Sequence, residues 1–186
     1  MATFIHRFCL AAFALLAGCS DSTGIPDPTL SNTIENLTLG ALVGTPISTA
    51  SAFNISSGVV RTDQTVEFEF AFNIVVTGAD SQRVFLPRAA LGLPAITTAD
   101  PGLQRRTESF DNVVLAESNG YVTDQPVPIG IGEVFVVRSR VVCTALGVPL
   151  YAKVEILSFD GGFVTLKVLT NENCGSKNLA PGIPPS

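Results

Sequence analysis

Residues 66–76 alternate without a break: Val66, Phe68, Phe70, Phe72, Ile74 and Val76 are apolar, with Glu67, Glu69, Ala71, Asn73 and Val75 between them. A period of two puts every second side chain on one face of a strand, so this segment predicts a long central strand. Its phenylalanine face is expected to be buried and the start of its other face wet. Three further segments, 133–143, 150–159 and 163–170, carry the β-branched and aromatic runs of strands. Asp160-Gly161-Gly162 joins the last two as a tight hairpin, because glycine accepts the positive φ such turns require. One carboxylate in that turn is too little for a metal loop. The three segments predict an antiparallel meander, and the whole chain reads as all-β: an antiparallel, sandwich-like single domain.

Composition agrees with this. Charged residues make up 15% of the chain and hydrophobic ones 46%, with 16 Gly and 12 Pro. That balance describes short strands punctuated by turns rather than charged helices. No internal repeat or low-complexity tract interrupts it.

The pattern changes near the amino terminus. Residues 8–16 are all apolar, follow His6 and Arg7, and run into Leu16-Ala17-Gly18-Cys19. This run falls short of the roughly 20 apolar residues that span a bilayer, and it has the proportions of a secretory signal. Leu-Ala-Gly-Cys resembles the lipobox of bacterial lipoproteins; an ordinary cleaved signal with an incidental cysteine is the alternative. The resemblance implies cleavage before Cys19, a diacylglyceryl thioether on its sulfur and acylation of the new amino terminus. One acyl chain holds only marginally, but two or three attach a protein stably, at about 0.8 kcal/mol per buried methylene. A membrane, reached through the lipid on Cys19, is thus the expected partner. In lipoproteins of double-membrane bacteria an aspartate directly after the cysteine favours the inner membrane; Ser20 stands there, with Asp21 next, so the outer membrane is the expected location. The chain divides into a signal peptide (1–18), a lipidated flexible tether (19–30) with Pro26 and Pro28, a β-rich domain (31–179) and an irregular tail (180–186).

Loss of Arg7 with the signal takes the net charge from −5 to −6. An acidic balance argues against nucleic acid and against attraction to anionic lipid. Arg105-Arg106, and Arg138 with Arg140, accordingly read as solvated faces rather than phosphate sites. Of the 4 cysteines, Cys9 leaves with the signal and Cys19 takes the lipid, so Cys143 and Cys174 remain as a pair in an exported protein. Cys143 ends the first strand of the meander; Cys174 follows the third, which runs parallel to the first and ends at the same edge. Those two strands lie about 9.6 Å apart across the middle one. The residues after 170 can therefore curl back to close a structural disulfide, the alternative being a reactive or metal-binding pair.

The only histidine, His6, lies in the signal, which leaves no imidazole for a Ser-His-Asp or Cys-His site or for zinc. There is no Trp, and Met1 is the only methionine. Gly130-Ile131-Gly132 supplies two glycines before a strand, unlike a phosphate loop that opens a helix. Glu67 and Glu69 are the carboxylate pair nearest to glycoside chemistry, about 7 Å apart on one face of the predicted strand. Exposed acids at i and i+2 are commonplace on a wet face, and that reading is preferred. The mature chain reads as non-enzymatic, with no metal and no cofactor expected.

Phe53-Asn54-Ile55-Ser56-Ser57-Gly58-Val59-Val60, followed by the Glu67-to-Phe72 strand, resembles the opening of the HmuY-like lipoproteins. Phe110-Asp111-Asn112-Val113 and Gly120-Tyr121-Val122-Thr123-Asp124 are similar to their central segment and the loop after it. Val134 to Arg138 and Tyr151 to Phe159 are similar to their closing pair of strands. The order matches across about 120 residues. The resemblance implies a β-rich fold and, from the founding members, haem held between two histidines. No mature histidine exists here to carry that role, and Tyr121 and Tyr151 are the only tyrosines that could ligate iron. Two functions remain: a module binding a small apolar ligand or an envelope protein, or an interaction protein with no small-molecule ligand. A phenylalanine-lined cavity would mark the first, and a filled core the second.

Overall fold

The computed structural model describes residues 24–95 and 99–184. These form strands β1 (Thr33–Gly40), β2 (Ala52–Asn54), β3 (Gly58–Val60), β4 (Phe70–Thr77), β5 (Asp80–Pro87), β6 (Gly102–Arg106), β7 (Val127–Pro128), β8 (Val134–Cys143), β9 (Val148–Asp160) and β10 (Phe163–Asn171). They make two antiparallel sheets, ordered β1-β10-β9-β8-β6 and β3-β2-β4-β5-β7. Phe53, Phe70, Phe72 and Phe85 of the second sheet pack against Phe135, Val137, Val154, Ile156, Leu166 and Val168 of the first. Between the layers the Phe85 and Phe135 rings meet edge-on at 5.9 Å, and those of Phe72 and Phe159 stack at 6.4 Å.

The meander stands as the alternation predicts. β9 lies between β8 and β10, Asp160 pairs with Phe163 across the turn, and Gly161 takes φ +54°. At the opposite pole Cys143 and Cys174 are disulfide-bonded, with Cα atoms 5.9 Å apart.

The central strand differs from expectation. β4 starts at Phe70 rather than Val66, because β5, its partner from Phe70 onward, ends at Pro87 and turns away into a 3-10 turn, Arg88–Leu91. Residues 66–69 therefore have no ladder on that side; Arg88 Nε donates instead to the Val66 carbonyl at 2.8 Å. Alternation also fails within β4. Ala71 is as buried as its neighbours Phe70 and Phe72, since Ala52, Phe68, Leu91 and Leu93 cover the other face. Towards Thr77 the hairpin to β5 runs past the end of the first sheet, leaving Val75 and Val76 exposed.

The outer face of the first sheet is partly covered. A 3-10 turn, Phe110–Asn112, lays Phe110 and Val113 over Val134, Val136, Tyr151 and Leu169. Lys153 of β9 is sealed beneath it at 1% exposure. Its Nζ donates to the carbonyls of Phe110 at 2.7 Å and Val113 at 2.9 Å, and lies 4.5 Å from the centre of the Phe110 ring. Burial lowers the Lys153 pKa; Lys167 adds to this, and Asp111 opposes it. Lys153→Met keeps the stem but strands two buried acceptors, each costing about 1 to 3 kcal/mol. A loss of about 2 kcal/mol or more is expected in urea unfolding; an unchanged midpoint would show that water satisfies those carbonyls.

Both ends of the described residues are fastened at the disulfide pole. Asn173 Oδ1 accepts the N–H groups of Thr29 and Leu30, each at 2.8 Å, and its Nδ2 donates to the Leu30 carbonyl at 2.8 Å. Asn32 and Gly182 exchange backbone bonds of 2.8 and 3.1 Å. The expected tether is described from Gly24 on. It forms neither helix nor strand, yet it is tied down from Thr29, and the tail after 180 is likewise irregular but bonded through Gly182. Asparagine amides do this work because one side chain can donate and accept at once.

Candidate functional site

The β2–β3 hairpin builds one wall of a groove beside β8. Asn54 shapes the turn, its Oδ1 accepting the N–H groups of Ser56 at 3.0 Å and Ser57 at 2.9 Å, while its Nδ2 donates to the Glu67 carbonyl at 3.0 Å. This is the local bonding that suits Asn to turns, and Gly58 closes the turn at φ +71°. The groove has a volume of about 380 Å³ and is lined by Ser56, Ser57, Thr65, Glu67, Arg140 and Val142 among others. On its wall Arg140 Nη2 and Glu67 Oε2 form an ion pair at 2.9 Å.

Glu69 is where the expectation is most clearly corrected. Rather than sharing a solvated face with Glu67, it is only 3% exposed, and its Oε2 accepts the Ile55 N–H at 2.9 Å. Residues 66–69 are not pleated into a sheet, so two-residue spacing does not set the side on which each acid lies. Glu67 turns to Arg140 and Glu69 inward to the hairpin backbone, an arrangement that does not offer the two carboxylates jointly to a substrate. Burial pushes the Glu69 carboxyl up to about 7, against the opposing pull of the Ile55 N–H and of Arg140.

A pH test follows from that displacement. The folded value lies above the ordinary 4.5 of the unfolded chain, so folding takes up a proton between the two. Stability from this group is complete below about pH 4.5 and is lost as pH rises through 7. Glu69→Gln cannot ionise and still accepts from Ile55. It is expected to be about 2 to 3 kcal/mol more stable than the parent at pH 8 and nearly equal to it at pH 4.5. Parallel denaturation curves at the two pH values, with a constant difference, would refute this.

The arginines singled out in the sequence are each engaged. Arg105 pairs with Glu133 and lies over Phe135, Arg106 bonds Glu108 at 2.7 Å, and Arg138 lies 4.5 Å above the Tyr121 ring. Tyr121 Oη donates to the Glu117 carbonyl at 2.9 Å. Burial raises the pKa of both Tyr121 and Tyr151. Among the described residues no three of His, Cys, Asp or Glu gather as a metal site. Gly130 and Gly132 belong to the turn before β8, where the Gly130 N–H donates to Glu133 Oε2 at 2.8 Å. Cys19 and the rest of the lipobox lie outside the described residues. The phenylalanines that would line an apolar cavity, Phe53, Phe70, Phe72, Phe85 and Phe135, are wholly buried in the core.

Nothing among family models, curated proteins or solved structures matches the chain. Function is therefore read from its residues alone.

Proposed function

We propose that the protein is a non-catalytic lipoprotein of the bacterial envelope, held in the outer membrane by acyl chains on Cys19, whose β-sandwich binds a protein partner. The observation that carries the choice of partner is the filled core: Phe53, Phe70, Phe72, Phe85 and Phe135 are wholly buried, and the rings of Phe53, Phe70 and Phe85 pack on one another. A tetrapyrrole or small apolar ligand needs a concave apolar site of several hundred Å³. The lipobox and the likeness to HmuY-like lipoproteins support the envelope setting. Fastening of the chain at Thr29 and Leu30 also suits a domain carried on a short anchor.

Metabolic labelling with an alkyne analogue of palmitate tests the anchor. Label is expected on the full chain and none on Cys19→Ala; an unlabelled parent chain overturns it. Native mass spectrometry of the detergent-released protein tests the binding mode, with a reproducible small-molecule adduct as the contrary result. A second reading has one observation in its favour: the groove between Ser56, Glu67 and Arg140 falls in the size range of ligand sites and presents hydroxyls and an ion pair. An adduct lost in Arg140→Ala would select it.

A further inference from the structure

Arg140 stands where strand alternation would not put it. Val134, Val136 and Arg138 of β8 face outward, the first two beneath the Phe110 turn and the third against the Tyr121 ring. A further step of two would set Arg140 beside them. The register with β9 shifts instead between Arg138 and Val141, and there the buried Ser139 hydroxyl accepts the Leu150 N–H at 2.8 Å. Past this bulge Val142 packs against the core between the sheets, and Arg140 reaches Glu67 beside the β2–β3 hairpin of the other sheet. Bulges re-aim side chains in this way next to functional sites.

The two members of that ion pair are held differently. The Arg140 side chain is 18% exposed and that of Glu67 56%. The Glu67 backbone is fixed, its N–H donating to Thr65 Oγ1 and its carbonyl accepting from Asn54 Nδ2, each at 3.0 Å. Its carboxylate can therefore swing into water without moving the groove, and an ion pair this open is weak. With that carboxylate turned away, the charged and hydroxyl groups left in the lining are the Arg140 guanidinium and the Ser56, Ser57 and Thr65 hydroxyls, all able to donate. Asn54, the other polar side chain there, is engaged on both amide atoms. A guanidinium fork takes a carboxylate in two parallel bonds. The exchange of one carboxylate for another also leaves the charge around Arg140 unchanged, whereas a phosphate dianion would add a second negative charge to a wall that already holds Glu67.

We infer that the groove between the β2–β3 hairpin and β8 is a carboxylate-binding site in which Glu67 holds the ligand's place on Arg140, the ligand's carboxylate being carried by a partner polypeptide, at its chain end or on an acidic side chain. This rests on the reading of the protein as a binder of a protein partner and names the group by which the partner is held. A groove of about 380 Å³ admits a chain end or a side chain with its flanking backbone.

The test is a nuclear magnetic resonance titration of the full chain, labelled with nitrogen-15 and held in detergent micelles. The probes are N-acetyl-trialanine, its carboxamide, N-acetyl-Ala-Asp-Ala carboxamide and acetate. Saturable shifts of the Ser56 and Ser57 amides and of Arg140 Nε are expected with one or both peptide acids and none with trialanine carboxamide; which acid binds tells chain end from side chain. Glu67→Gln removes the internal competitor and should tighten binding about fivefold, while Arg140→Gln should abolish it, circular dichroism checking that each variant keeps the fold. Equal shifts with acid and carboxamide, no shift with either acid in Glu67→Gln, or binding that Glu67→Gln leaves unchanged or weakens would overturn the site. Acetate binding as tightly as the peptides would overturn the polypeptide ligand while leaving the carboxylate site in place, so failure of the site and failure of the partner reading are distinguishable.

Discussion

Phe85→Ala is expected to cost about 3 to 5 kcal/mol, the range for emptying a phenylalanine site in a packed core. Phe85 has no exposed surface and lies at the junction of the two layers. Its ring centre is 4.3 Å from that of Phe70 in its own sheet and 5.9 Å from that of Phe135 in the other. Removal of the ring opens a void between two ladders whose separation is set by many other contacts, so the walls cannot collapse to fill it. Phe85→Leu restores most of the volume and is expected to cost about 1 to 2 kcal/mol. Equilibrium unfolding in guanidinium should show a lower midpoint with an unchanged slope. A loss below about 1 kcal/mol for the alanine variant would mean that the sheets slide together, and that the aromatic layer fills space without setting the spacing.

The second large effect is expected at the opposite pole of the β8–β9–β10 meander. Cys143→Ser with Cys174→Ser removes a bridge across a sequence separation of 31, worth about 3 to 4 kcal/mol on the chain-entropy account. The bond joins the end of β8 to the residue just before Gly175, whose N–H donates to the Pro149 carbonyl at 3.1 Å. Its loss also frees the segment that carries Asn173 and hence the amino-terminal clamp. Reductant should lower the midpoint of the parent protein by as much as the double substitution does, and should leave the double variant unchanged. Two thiols titrated in protein purified without reductant would contradict the bridge outright.

Legibility in the sequence followed strand length. The meander is readable because β8, β9 and β10 are long and bounded by a Gly-Gly turn and a cysteine, so period and punctuation agree. β1 is obscure because an edge strand with Glu35, Asn36 and Thr38 exposed shows little alternation, while β2 and β3 have three residues each and no period to read. The β2–β3 hairpin leaves only Asn54 and Gly58 as turn residues in the sequence. Glu69 was missed because alternation assigns a face only where the chain is pleated, and the ladder begins one residue later. Lys153 had a signal: Val134 to Val137 are apolar on both faces, which marks a strand covered from both sides. A lysine two strands' width from the edge on that covered face must find acceptors, and the Phe110 turn supplies them.

The clamp at Asn173 and Asn32 also decides how the molecule bears load. A pull on the amino terminus enters β1 at Thr33 and, resisted at the far end of the sandwich, runs along the strand direction. β1 is joined to β10 from Thr33–Thr170 through Gly40–Phe163. A pull along that axis stresses all of those pairs at once, in shear, whereas a pull across it would open them one at a time like a zipper. A pull on the amino terminus thus loads an edge strand, ordinarily the first part of a sheet to peel, in its stiffest direction.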